Sequence, residues 1–255
     1  MATFDSYVLG RDLDASISMY NGYTLNPKIP MSPDMKIAEI GTGTGIWLLD
    51  MASQCSPTVQ LDGFDISDDQ FPHKSALPNN VTLSIMDAFS QVPRELAGKY
   101  DVVHMRLWSC IVRNNETNRL IHHATQLLKP GGYLQWDEAD IGKTLTTGVE
   151  AIAFWEIMSS ILQSMKIDSK WIEEIPNRLE EQGMFGIDVR VGCFSQSLVP
   201  LVTRTYVCGY NELLRSIGTS KEGSVSSSRH IEAEEALSRL MKSYKKGGAL
   251  YWTPI

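Results

Sequence analysis

Short apolar runs, separated by turn residues and helical stretches, organise the front half of the chain. The clearest is Lys36-Ile37-Ala38-Glu39-Ile40, which runs into Gly41-Thr42-Gly43-Thr44-Gly45 and then an amphipathic segment from Ile46 to Ala52. This pattern predicts a strand, a tight turn and a helix. Val59 to Asp65 alternates and ends on an acid, predicting a second strand, and a loop or short helix starts at Ile66. Pro78-Asn79-Asn80 reads as a turn, Val81 to Met86 as a third strand ending at Asp87, and Tyr100 to Met105 as a fourth. From Asn114 to Leu128 the apolar positions Leu120, Ile121, Ala124, Leu127 and Leu128 recur at helical spacing. Lys129-Pro130-Gly131-Gly132 closes that helix, and Tyr133 to Trp136 forms a fifth strand. Strands alternating with helices at this rhythm predict an α/β fold with a parallel, doubly wound sheet.

The flanks differ. Residues 1–35 are turn-rich, with one short helix expected near Leu13 to Tyr20 and an extended lead-in to the first strand. From about Thr147 helices follow one another: Ile152, Trp155, Ile157, Met158, Ile161, Leu162 and Met165 form one broad apolar surface, and Ile172 to Gln182 a second helix. A strand near Ile187 to Phe194, a helix near Tyr210 to Ile217, a mobile loop from Gly218 to Arg229, a helix from His230 to Lys245 and a last strand from Ala249 to Thr253 complete the reading. The expected division is an N-terminal lid segment (1–35), a ligand-binding core (36–142), and a helical cap with C-terminal strands completing the same domain (143–255).

Composition narrows the function. At 255 residues, 43% hydrophobic and 21% charged, the chain has ordinary globular make-up and can bury one substantial α/β domain. A net charge of -7 argues against nucleic acid as a partner, because neutralising phosphates needs clustered Lys and Arg. Cys55, Cys110, Cys193 and Cys208 are scattered without a CxxC pair, so neither a metal site nor a disulfide framework is expected. With no signal-like N-terminus and no long apolar run, no membrane partner is expected and the location is read as cytoplasmic.

Chemistry concentrates where an open α/β sheet binds ligands, beyond the carboxyl ends of its strands. Glu39 and the glycine loop stand at the first strand, Asp65 at the second, Asp87-Ala88-Phe89 at the third, and His104-Met105-Arg106 at the fourth. Asp65 can accept both hydroxyls of a ribose, Asp87 a hydrogen bond from an exocyclic amine, and Phe89 can pack near the base. A dinucleotide fingerprint would need glycine at position 46, which is Ile46; the pattern is GxGxG. Such a loop suits a ligand that combines carboxylate, ammonium and sulfonium groups, with Glu39 near the ammonium. Trp108, Trp136, Trp155 and Trp171 are candidates to wall an apolar acceptor pocket, beside their reading as core residues.

Glu39-Ile-Gly41-Thr-Gly43-Thr-Gly45, Asp65, Asp87-Ala88-Phe89 and Leu128-Lys-Pro-Gly-Gly132 together resemble class I S-adenosylmethionine-dependent methyltransferases. More narrowly, Tyr7-Val-Leu-Gly-Arg11, Gly45-Ile-Trp47-Leu-Leu-Asp50, Gly63-Phe-Asp65-Ile-Ser67, Gln70-Phe-Pro72, Lys99-Tyr-Asp101-Val-Val-His104 and Gly132-Tyr-Leu-Gln-Trp136-Asp137-Glu138 are similar to fungal secondary-metabolite methyltransferases. The resemblance implies a seven-stranded, mostly parallel Rossmann-like sheet with helices on both faces, the final two strands antiparallel, and a helical substrate cap. It implies S-adenosylmethionine (SAM) as cofactor, held by Glu39, Gly41, Thr42, Gly43, Gly45, Asp65, Ile66, Gln70, Asp87, Ala88, Phe89, Met105 and Arg106. The activity it implies is methyl transfer to an O or N atom of a small-molecule acceptor. His104 is the first candidate for general base, with Asp137 and Glu138 as alternatives; no metal is expected. Two other readings compete: a SAM-fold enzyme without methyl transfer (cyclase, pericyclase or dehydratase), and a noncatalytic regulatory methyltransferase-like protein. Acceptor identity, accepting atom and oligomeric state have no signature in these residues.

Overall fold

The computed structural model describes residues 23–112, 117–167, 169–219, 225–244 and 247–254. The helix expected near Leu13 to Tyr20 lies outside them, as does most of the 1–35 segment. Five strands, β1 (Lys36–Ile40), β2 (Gln60–Asp65), β3 (Val81–Ile85), β4 (Tyr100–Arg106) and β5 (Leu128–Asp137), pair in parallel in the order β3-β2-β1-β4-β5. The order reverses between β1 and β4, which opens the crevice at their carboxyl ends where ligands of such sheets bind. Glu39 pairs with His104 and Ile40 with Met105 across that point, so the glycine loop emerges beside the end of β4.

The period of two sorts side chains between the two faces. Ile37, Leu61, Val81 and Val102 pack under Trp47, Leu48 and Met51 of helix α1 (Ile46–Gln54), with Ile29 and Met35 from the lead-in. Ala38, Ile40, Phe64, Val103 and Met105 pack on the other face, against Leu120, Ala124 and Leu127 of α2 (Thr117–Leu127) and Trp171 and Ile172 of α4 (Lys170–Glu181). Helices cover both faces, as expected. A third core joins α3 (Val149–Ser164), α5 (Val199–Thr219) and α6 (Ser227–Ser243) to an antiparallel pair, β6 (Ala139–Thr147) and β7 (Ala249–Pro254).

Three expectations need correction. The seven strands do not form one sheet; five are parallel and β6 and β7 pair separately with each other. β6 was not foreseen, because Gly142 and irregular burial along Ala139–Thr147 hide its alternation. The strand expected near Ile187 to Phe194 is absent. Val189 and Val191 are exposed there, and a strand with no neighbour to take its hydrogen bonds has no reason to form. Polar contacts tie the segment down instead: Asp188 to Lys28 (2.9 Å), and Arg190 Nη1 donating to the Tyr23 hydroxyl (3.0 Å). Helix α5 is much longer than its expected core of Tyr210 to Ile217, and the loop expected from Gly218 to Arg229 falls partly outside the described residues. Among the described residues no helix is long and apolar enough to cross a membrane.

Gly63 on β2 shows how tightly α1 sits. A Cβ there would lie 2.5 Å from Leu83 Cδ2, 2.6 Å from Leu48 Cδ1 and 2.9 Å from Thr42 Oγ1. Gly63→Ala is expected to lower unfolding free energy by about 1–3 kcal/mol through overpacking, read as a shift in the denaturant midpoint.

Candidate functional site

At the carboxyl end of β1 the chain turns through Gly41 (φ 72°), Gly43 (φ 54°) and Gly45 (φ 73°), left-handed conformations that side chains resist. Gly41 and Thr42 both donate their N–H to the Phe64 carbonyl on β2 (2.8 and 2.9 Å), which pins the loop to the next strand. Gly45 caps α1 without a side-chain bond, so the turn delivers the helix N-terminus to the crevice. Asp65, at the end of β2, accepts the Gly43 N–H on Oδ2 (2.8 Å) and the Ile66 N–H on Oδ1 (2.8 Å). A carboxylate offers about four acceptor sites, so capacity remains for a diol. Gln70 reaches the same loop, its Oε1 3.3 Å from where a Gly43 Cβ would stand, and Ile66 is exposed beside it. After β3, Asp87 Oδ1 accepts the Phe89 N–H (2.8 Å), Ala88 is buried, and the half-buried Phe89 ring meets Trp108 edge to face at 6.0 Å.

The α1 side of the sheet carries a buried polar row across β1, β4 and β5. His104 has no exposed surface and stacks on Trp47 (3.7 Å between centroids, 10° between planes). Its Nε2 lies 2.9 Å from Asp137 Oδ2. Its Nδ1 lies 3.3 Å from Glu39 Oε1, near enough for ion pairing though not aligned as a hydrogen bond. Thr42 Oγ1 donates to Glu39 Oε2 (2.6 Å), and Arg106 Nε sits 3.5 Å from Glu39 Oε1. Gln135 Nε2 donates to Asp137 Oδ2 (2.8 Å) and to the Thr24 carbonyl (3.1 Å), which also receives the Trp47 indole N–H (3.1 Å). Burial alone would lower the His104 pKa, but its contacts with Asp137 and Glu39 outweigh that and raise it. Burial raises the Glu39 pKa, offset only in part by His104 and Thr42.

The expected residues therefore separate into groups. Glu39, Thr42, the glycines, Asp65 and Gln70 converge on the loop, with Asp87 and Phe89 beyond it. Met105 has no exposed surface and packs in the second core. His104 is enclosed, so its ring is not placed to touch an acceptor; Asp137, with 29% of its side chain exposed, is the open end of the row. Glu138 is buried with five donors on its carboxylate: the N–H of Trp108, Ser109 and Ala139, the Ser109 hydroxyl and the Trp136 indole. Burial pushes its pKa up against all of these bonds. Gln135, Trp47 and Thr24 were not anticipated as part of the site. Gln135 stands two positions before Asp137, and that spacing alone put it on the same face of β5. A cavity of about 390 Å³ lined by Ile141, Trp155, Leu162, Lys166, Ile167 and Lys170, among others, shares no residue with the glycine loop.

A class I methyltransferase site is what this strand order and loop define. The family model described as a methyltransferase domain matches residues 25–169, more than half of the chain, and the chain belongs to that family. Methyltransferase grgD of a Penicillium species is 39% identical over 123 residues, covering 46% of this chain and 42% of that protein. N-methyltransferase tcpN of Claviceps purpurea is 36% identical over 110 residues, covering 43% and 39%. The chain thus spans less than half the length of these curated relatives in the matched region. Phospholethanolamine N-methyltransferase 2 of Haemonchus contortus, solved with phosphomonomethylethanolamine and S-adenosylhomocysteine, shares the fold at a TM-score of 0.53. Its identity is 18%, over 95% of this chain and 56% of that one. SAM is the cofactor this family and this loop call for.

Glu39 and His104 both hold a proton more tightly folded than unfolded. Their stabilising contribution is complete below the unfolded pKa values, 4.5 and 6.5, and is lost as pH rises through the raised folded values. The denaturant midpoint is expected to fall as pH rises above 6.5 and through the raised folded value of His104. His104→Asn should be less stable overall but flatter across that window; an unchanged slope would place the titrating group elsewhere.

Proposed function

We propose that the protein is a SAM-dependent methyltransferase that moves a methyl group to an O or N atom of a small secondary metabolite. The observation that carries this reading is the ordered set of groups at adjacent strand ends: Glu39 and the glycine loop after β1, Asp65 after β2, Asp87 after β3. Each has the chemistry for a successive part of one ligand. The helix N-terminus suits the carboxylate of a methionine end, with Glu39, enclosed and bonded to Thr42, holding the loop beneath it; the spare acceptor sites of Asp65 suit ribose hydroxyls, and Asp87 suits an adenine amine. When bound, SAM supplies a methyl carbon already activated by its sulfonium, which leaves the protein to align the acceptor, exclude water and remove a proton.

For the proton we favour Asp137. It is the exposed end of the buried row, and His104 and Gln135 both hold its Oδ2. His104, enclosed and stacked on Trp47, acts in this reading as the positioning residue that fixes Asp137 and Glu39 at once. Residues 36–142 form the cofactor half in this reading, and the helices from 143 onward form the cap on the acceptor side, except α4, which packs on the sheet; the cap's core also takes in Ala139 and Ile141 of β6. The curated relatives named as methyltransferases support methyl transfer, and the N-methyltransferase of Claviceps purpurea supports nitrogen as one accepting atom.

Two measurements test this. Asp65→Ala should weaken S-adenosylhomocysteine binding by about 1–3 kcal/mol in calorimetry, because hydrogen bonds are left half unmade; unchanged affinity would mean the ribose lies elsewhere. With methyl-labelled SAM and candidate metabolites, label should pass to a product, and Asp137→Asn should slow that transfer by about 10²–10⁴-fold with little change in cofactor affinity. Turnover of a metabolite with no S-adenosylhomocysteine formed would remove the transferase reading in favour of a rearrangement or dehydration on the same fold.

A further inference from the structure

We propose that Trp108 donates its indole N–H to an acceptor atom of the bound cofactor, and that Glu138 acts through it as a positioning residue. The inference rests on the SAM reading above and assigns to it two side chains whose roles that reading leaves open.

Leu107 follows β4 with φ 56°, a left-handed conformation unfavourable for a branched side chain. Such strain persists only where the surroundings over-determine it. Here the Leu107 N–H is taken by the Asp137 carbonyl (3.1 Å), and the next two residues by Glu138. Oε2 accepts the Trp108 N–H (2.8 Å) and Oε1 the Ser109 hydroxyl (2.6 Å), so the carboxylate anchors the short turn Trp108–Cys110. The turn lays the indole on the glycine loop: a Cβ on Gly41 would stand 2.8 Å from Trp108 Cζ2 and 3.5 Å from Nε1. The ring also meets Phe89 edge to face (6.0 Å), so Trp108 touches residues that follow both β1 and β3.

Only 6% of Trp108 is exposed, and its Nε1 has no hydrogen-bond partner among the described residues. A buried donor left unmade is costly, and native sites seldom keep one without use. The neighbouring indoles differ. Trp47 donates to the Thr24 carbonyl and Trp136 to Glu138. Trp171 also lacks a partner, but it packs against Trp136 in the second core, not on the loop. Carboxylate, ribose and ring-nitrogen acceptors of a SAM molecule are the groups that this position and polarity suit.

S-adenosylhomocysteine, which binds without reacting, is titrated into wild type, Trp108→Phe, Glu138→Gln and the double variant, reading heat and tryptophan fluorescence. Wild type should show a fluorescence change that is lost in Trp108→Phe, which keeps an aromatic side chain but removes the N–H donor together with part of the indole. Its affinity should fall about 5–20-fold. Glu138→Gln should fall by a similar factor, and the double variant little further, because both changes remove one contact. Should Glu138→Gln fail to fold, Ser109→Ala, which loosens the same anchor, takes its place in the cycle. Wild-type affinity in Trp108→Phe would overturn the donor assignment, and losses that multiply would overturn the claim that Glu138 works through Trp108. If wild type binds no S-adenosylhomocysteine, the cofactor reading itself falls, and this inference with it.

Discussion

A histidine with no exposed surface, held between two carboxylates, is the constraint on which the site depends. Removing charges from water costs several kcal/mol each unless partners replace the lost hydration. The structure meets that demand from every side: Glu39 from β1, Asp137 from β5, Arg106 and the stacked Trp47 close by, and Thr42 from the loop itself. Gln135 and Thr24 extend the row to the lead-in segment. Strand register makes the arrangement possible, because Glu39 faces His104 and His104 faces Gln135 across the sheet. The glycine loop is thus not a free turn. Thr42 ties it to the row, Phe64 ties it to β2, and moving it would leave Glu39 buried with less compensation.

The consecutive acids Asp137 and Glu138 show how one strand end serves two purposes. With a period of two, they leave β5 on opposite faces. Asp137 joins Gln135 and His104 on the α1 side; Glu138 joins Trp136 on the other and collects the Trp108–Ser109 turn. Two buried carboxylates, Glu39 and Glu138, therefore fix the connections after β1 and after β4, which are the two that flank the switch point. Each is expensive alone. Their bonding makes the position of both loops close to all-or-none.

Much of this was legible in the residues because parallel strands are buried on both faces and leave short apolar runs with clear ends. β1 through β4 and the later part of β5 were read from that signal, with the acids after β2 and β3 and the glycine turn, whereas Lys129–Gly132, expected to close a helix, already belong to β5. What was not legible lies in tertiary pairing. Nothing in Ala139–Thr147 marks it as a strand or says that it pairs with Ala249–Pro254, so the single seven-stranded sheet implied by the family resemblance had no residue pattern to correct it. Ile187, Val189 and Val191 alternate like a strand, yet no edge stands beside them. His104 was the first candidate base because sequence gives the end of a strand and not the depth of its side chain; the stack on Trp47 decides that depth.

Stability and chemistry are coupled at this site in one direction. A row of apolar side chains across β1, β4 and β5 would be at least as stable as the charged one, by the general behaviour of buried ion pairs. What it would lack is a defined position for Asp137, the one oxygen-bearing end of the row that reaches the surface. The charged row therefore makes sense as a device for orientation, with its energetic cost offset by Thr42, Gln135 and Arg106. It also makes the lead-in part of the site: Thr24, buried beneath Gln54 and Gln135, completes the hydrogen bonding that keeps Asp137 in place.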